Sequence, residues 1–208
     1  MMSVPDRSLD PKILESARKE FLENGFEKAS LKDICEGAGV TTGALYKRYK
    51  GKEDLFAAVV EQTVQELYAV AKQRGNRDPA ALSDEELMKC WDMDGPDMMW
   101  WFRFLYERHE DFTLLLTCAE GTRYAGFPHD WVEILTKATS AFLAEAQRRG
   151  LCRKDVGEKE LHILLSAFWT TIYEPFIHGL DWEQIELHCR IVCRLFDWHR
   201  ALDFRTQP

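Results

Sequence analysis

The sequence predicts an all-α fold. Apolar residues recur at three- and four-residue intervals along most of the chain, as the buried face of a helix requires. No stretch shows the strict alternation of a half-buried strand. Capping residues and glycines also punctuate the apolar runs at the places where helices would begin and end.

The first run opens with Asp10-Pro11, an N-cap followed by proline at the first helical position. Ile13, Leu14, Ala17, Phe21 and Leu22 line one face, and Asn24-Gly25 closes a helix over about 11–23. Ser30 caps a second helix, with Asp33 placed to reach back to it and favour the positive helix end. Leu31, Ile34 and Cys35 give it an apolar side, and Gly37 ends it after about two turns. After Ala38-Gly39-Val40, Thr41 caps a third short helix that runs to about Arg48. Two short helices joined by a glycine-containing turn form a helix-turn-helix pattern.

Composition fits a soluble globular protein: 46% of the 208 residues are hydrophobic and 30% charged, with seven prolines and no Gly/Ser-rich linker. The stretch MMSVPDRSLD lacks the basic start and apolar core of a secretory signal. The most apolar run, Leu161 to Tyr173, is far short of the ~20 residues that span a bilayer. No membrane association and a cytoplasmic location are therefore expected. Six scattered cysteines suit a reducing compartment as buried thiols. Cys189 and Cys193 share a helix face beside His188, which leaves a metal or redox site open, but no second ligand pair accompanies them. Neither a metal nor a cofactor is expected.

The net charge of −8 is unevenly spread. Residues 1–55 hold ten Lys/Arg and ten Asp/Glu, whereas residues 56–208 hold seventeen and twenty-five. Within the neutral part, Lys47, Arg48, Lys50 and Lys52 cluster with no acid between them, a local footprint for phosphate or a solvated helix end.

The run ILESARKEFLENGFEKASLKDICEGAGVTTGALYKRYKGKEDLF, with GF at 25–26, SLKDI at 30–34, AGV at 38–40, TGALY at 42–46 and KEDLF at 52–56, resembles the N-terminal domain of the TetR family of transcriptional regulators. Tyr49 stands where that family usually has phenylalanine. The resemblance implies that Thr42, Gly43, Tyr46 and Lys47 face the DNA groove, while Leu45 and Tyr49 face the core. Thr41 doubles as a cap or a DNA contact, and Arg48 as a surface charge or a DNA contact. Lys52 resembles the family lysine that holds a phosphate, and Ser30 and Lys32 are placed to reach the backbone across the groove. The string from Gly37 to Gly43 superficially looks like a dinucleotide loop, but it has one residue too many and follows a helix rather than a strand.

Residues 1–55 are thus read as a three-helix DNA-binding head, and 56–208 as a larger helical ligand-binding and dimerisation body joined to it by a helix from Lys52 to about Arg74. Leu55, Phe56, Val59, Val60, Thr63, Leu67, Val70 and Ala71 stripe that linking helix. Ser83 and Glu86 form a capping box, and Asp94-Gly95-Pro96 a turn. Residues 97–119 read as helical with a break near Glu110, and Trp131 to Arg149 as a further helix. A helix over about 158–178 is apolar on more than one face, with Pro175 near its end; a last helix over about 182–201 begins with a box at Asp181 and Gln184.

The resemblance implies a homodimer through these last two helices, and the doubly apolar face of the first independently calls for cover. It also implies an effector pocket in the body, for which Met98, Trp101, Phe104, Phe112, Trp131, Trp169 and Tyr173 are the candidates. Such a pocket suits a flat or apolar molecule, with Glu120 or Glu174 able to select a cation. The expected function is a ligand-responsive repressor of operator DNA, the alternative being an effector-independent regulator or activator controlled by a protein partner. Six dispersed histidines and no nucleophile–base set argue against an enzyme.

Overall fold

The computed structural model describes residues 10–93 and 95–205; the N-terminal stretch 1–9, and Asp94 of the expected turn, lie outside them. Every regular element among the described residues is helical. None of these helices is long and apolar enough to cross a membrane.

Helix α1 spans Asp10–Lys28, and Gly25 breaks it at φ 70°, ψ 165°, a conformation that glycine adopts without steric cost. Ile13, Ala17 and Phe21 are its buried face. Helix α2 spans Leu31–Ala38, capped by Ser30, whose hydroxyl accepts from the Asp33 amide. The Ser30 amide donates to Glu20 of α1 rather than to Asp33, so a tertiary contact replaces the expected reach-back. Gly37 does not end α2; Gly39 does, in the left-handed conformation at φ 67°. The glycine at 37 has a different cause. A Cβ there would lie 2.4 Å from the Ser16 hydroxyl of α1, which donates to the Ile34 carbonyl at 2.9 Å. Helix α3 is shorter than expected, Thr42–Tyr46, with Thr41 as its cap.

Helix α4, Lys52–Gly75, buries Leu55, Phe56, Val59, Val60, Thr63 and Leu67 as its spacing requires. A 3-10 turn over Pro79–Ala81 leads to α5, Asp84–Lys89, where the Ser83–Glu86 capping box is formed. The helical stretch expected over 97–119 is α6, Gly95–Tyr106, then α7, His109–Thr113, which continues as a π-helical turn over Leu114–Cys118; the break expected near Glu110 falls just before His109. Helices α8, Phe127–Arg149, and α9, Glu158–Ile177, follow. The last expected helix is divided: α10, Trp182–Leu195, stops at Phe196, and Asp197 caps a short α11, Trp198–Ala201. The break turns Trp198 onto Phe168 and Trp91, at ring separations of 5.9 and 6.3 Å, while Leu195 is left 67% exposed.

The chain forms two compact units. One gathers the described residues up to Leu67 with Arg108–Phe127. Phe21, Phe26 and Phe56 meet edge-on or tilted at 5.0–6.1 Å in its core, with Tyr124 6.3 Å from Phe56. Asp111 of α7 accepts from Arg18 of α1 at 2.6 Å and from Thr63 of α4 at 3.0 Å, and Arg108 pairs with Glu66. The second unit holds Tyr68–Glu107 and the residues from Pro128 onward. There Arg149 fastens the end of α8 to the carbonyls of Leu82 and Ala80 and to Asp84, at 2.7–3.1 Å.

The Ser16–Gly37 contact makes a sign prediction. Gly37→Ala displaces the Ser16 hydroxyl and breaks a bond worth about 0.5–1.5 kcal/mol, so it lowers Tm. In a Ser16→Ala background the obstacle is gone, and Gly37→Ala instead raises Tm through a helix-propensity gain of up to about 1 kcal/mol. Thermal denaturation of the four variants checks this; the same sign in both backgrounds would refute it.

Candidate nucleic-acid interface and body cavity

The turn between α2 and α3 presents a small exposed surface. Thr41, Thr42, Gly43, Tyr46 and Lys47 are all exposed, Tyr46 at 54%. Buried Leu45 anchors α3 from beneath, as expected, and Tyr49 is half-buried. The Thr41 hydroxyl accepts from the Ala44 amide at 3.2 Å, so its cap role is formed. The side chains of Thr42, Tyr46 and Lys47 make no hydrogen bond or ion pair among the described residues and remain available to a partner. A Cβ on Gly43 would meet nothing nearer than 4.0 Å, so the absence of a side chain there serves no packing need within the fold.

Other residues of the expected set are engaged internally. Arg48 is nearly buried, donating to Asp10 at 2.8 Å and to the Ala44 carbonyl at 2.9 Å. This ties the end of α3 to the start of α1. The Lys52 ammonium donates to the carbonyls of Glu27 and Ala29 at 2.8 and 3.1 Å, and lies 4.8 Å from the centre of the Phe26 ring. Ser30 is occupied as a cap, and exposed Lys32 pairs loosely with Glu36 at 3.5 Å. The sequence does not distinguish Lys47 from Arg48, because adjacent cations on a short helix differ only in the side of the helix they occupy.

The second unit contains a cavity of about 540 Å³. Met98 and Trp101 of α6, Trp131 of α8 and Trp169 of α9 line it. Phe104, Phe112 and Tyr173 do not. Phe104 stacks on Trp100 at 5.3 Å, Tyr173 lies 5.9 Å from Trp169, and Phe112 is buried in the first unit beside Phe127. The sequence reading missed Ile134, Leu135, Ala138, Thr139 and Phe142 of α8. Their three- and four-residue spacing from Trp131 was visible, but it reads equally well as core. Trp91 and Trp198 complete the aromatic wall. Arg77, Glu86, Lys89, Cys90, Asp92 and Asp97, all exposed, form a polar rim.

Neither acid expected to select a cation lines this cavity. Glu174 faces His178 at 3.2 Å, and Glu120 belongs to the first unit. Burial, with Cys193 alongside, pushes the Cys189 thiol up to about 12. Cys189 is therefore a protonated, buried thiol at neutral pH.

Residues 13–59 match the pattern of the bacterial regulatory proteins of the tetR family. Over 51 residues, the chain is 43% identical to the HTH-type transcriptional regulator UidR of Escherichia coli K12, a match to 24% of this chain and 26% of UidR. The chain thus spans about a quarter of that relative's length. The HTH-type transcriptional repressor AcnR of Corynebacterium glutamicum is 33% identical over 172 residues, which cover 81% of this chain and 79% of AcnR. The fold is shared with NalD of Pseudomonas aeruginosa, a secondary repressor of a multidrug efflux pump. That structure aligns at a TM-score of 0.66 and 20% identity, over 97% of this chain and all of NalD. With the helix-turn-helix matched and similarity to AcnR extending over most of both chains, the protein belongs to the tetR family of bacterial transcriptional regulators.

Proposed function

We propose that the protein is a ligand-responsive repressor that acts in the cytoplasm as a homodimer on operator DNA. The observation that carries this reading is the unengaged face of Thr42, Gly43, Tyr46 and Lys47 on a helix held rigidly by Leu45 and Arg48. Those residues read the groove, with Thr41, Ser30 and Lys32 flanking. Arg48 and Lys52 act chiefly by positioning the helices. The DNA-binding part is residues 1–55, and the regulatory and dimerisation part is residues 56–208.

A helix-turn-helix dimer reads half-sites about 34 Å apart or a multiple of that, so a second copy is needed. The last two helices carry an apolar surface suited to it: Leu187, Ile191 and Leu195 recur every fourth residue on α10, each more than half exposed, and Ile163 is 60% exposed on α9. Covering the exposed part of each such side chain contributes about 1–2 kcal/mol. NalD and AcnR are both described as repressors, which supports the same sign of regulation here.

The 540 Å³ cavity favours an effector over effector-independent control, since it falls within the roughly 300–1,000 Å³ range of small-molecule sites. By linkage, an effector that binds the DNA-incompetent conformation more tightly lowers operator affinity. The chain offers a covalent route for such coupling. Helices α6 and α8, which line the cavity, are continuous in sequence with the 108–127 segment that Asp111 fastens to α1 and α4.

Fluorescence anisotropy against the DNA flanking the coding region is expected to show sequence-specific, salt-sensitive binding. Tyr46→Ala and Lys47→Ala each weaken it at least tenfold, Lys47→Ala also reducing the salt slope by about one. Absence of specific binding, or unchanged affinity in both variants, sinks the proposal. Arg48→Gln is different in kind: it lowers Tm by freeing Asp10, and an unchanged Tm would contradict its positioning role. Ile191→Asp is expected to convert the dimer to a monomer in light scattering, with helicity retained by circular dichroism. Persistence of the dimer would place the interface elsewhere.

A further inference from the structure

The charges around the cavity are not equally available. Glu86 accepts from the backbone amide of Ser83 at 2.9 Å as part of the α5 capping box. Asp92 is held by His199 at 2.7 Å, and Asp97 is engaged as well. Lys89 is paired with Glu85 at 2.7 Å. Arg77 alone among the rim's charged residues makes no hydrogen bond or ion pair with any described residue, although its charge acts through space on Glu86 and Cys90. Within the wall, Thr139 is half-buried on α8, and its hydroxyl likewise bonds to no described residue, although most buried polar groups find a partner. The indole N–H of Trp91 is buried with no acceptor among the described residues. The unengaged polar groups are therefore a guanidinium, an indole N–H and a hydroxyl able to donate, while Glu86 and Asp92 each already accept a hydrogen bond.

From this asymmetry we infer that the cavity selects an organic acid: a molecule with a flat or apolar body seated among Trp131, Trp169 and Phe142, a polar substituent meeting Thr139, and a carboxylate meeting Arg77. A cationic ligand meets carboxylates at Glu86 and Asp92 that each already accept a hydrogen bond, whereas an anionic one meets a guanidinium whose donors are unbonded. The aromatic rings alone would accept either charge, so the rim decides. The inference rests on the cavity being the effector site proposed above, and it adds the chemical class.

Three probes sharing one ring system test it: 1-naphthaleneacetate, its neutral amide 1-naphthaleneacetamide, and the cation 1-naphthylmethylammonium. Isothermal titration of the full chain is expected to rank the acid about five- to tenfold tighter than the amide, with the cation weakest. Arg77→Gln, a change at an exposed side chain that makes no hydrogen bond or ion pair with the described residues, removes the preference for the acid and leaves the amide affinity unchanged. Arg77→Lys restores much of it, and Thr139→Val weakens acid and amide alike. Equal or tighter binding of the cation, an acid preference that survives Arg77→Gln, or no binding by any probe overturns the inference. Anisotropy on the flanking DNA separates the two readings. Acid-selective binding without loss of DNA affinity upholds the acid site and refutes the effector role. Release of DNA by all three probes alike does the reverse.

Discussion

One carboxylate holds together three elements that are remote in sequence. Asp111 accepts the Arg18 guanidinium on one oxygen and the Thr63 hydroxyl on the other, joining α7 to α1 and α4. Both oxygens are satisfied and only 14% of the side chain is exposed, so these bonds lie in the stronger, charge-assisted range. Loss of the carboxylate would leave Arg18 with Glu15 at 2.9 Å and Glu110 at 3.8 Å, and Thr63 without its acceptor. The consequence is topological. The chain enters the first compact unit at Arg108 and leaves it at Phe127, and the helices before and after that segment both line the cavity. Within the first unit, Asp111 thereby fixes the segment that separates α6 from α8 in sequence onto α1 and α4.

The head assigns its cations separate tasks. It is neutral overall, so an electrostatic reading from net charge would have missed it. Arg48 is drawn inward by Asp10, and Lys52 by the backbone carbonyls of Glu27 and Ala29 beyond the break at Gly25. Lys47 is left outward beside Tyr46. Partly buried cations that bond to carbonyls stiffen the turn and leave its exposed side chains on a fixed backbone.

In the body, aromatic surplus becomes space. Indole rings from α6, α8, α9 and α11 border a cavity of about 540 Å³. Some aromatics have other duties: Trp182 stacks under Arg103 at 4.2 Å and donates its indole N–H to Glu186, joining α6 to α10. What α10 does not spend inward, it displays outward as the Leu187–Ile191–Leu195 stripe.

Local chemistry alone determined the helical class, the caps at Ser30, Thr41, Ser83 and Asp181, the break at Gly25 and the helix-turn-helix with its buried Leu45, because each depends on neighbours within about four residues. Tertiary structure decided what depends on distant partners. Ser16 explains Gly37, Asp10 turns Arg48 inward, and Glu20 takes the Ser30 amide. The break at Phe196 arises where Trp198 packs against Phe168 and Trp91, although an unbroken helix was equally compatible with the local spacing. The cavity was the least legible feature. The spacing from Trp131 to Phe142 is the same whether a helix faces a packed core or an empty one, and only the placement of the opposing helices distinguishes them.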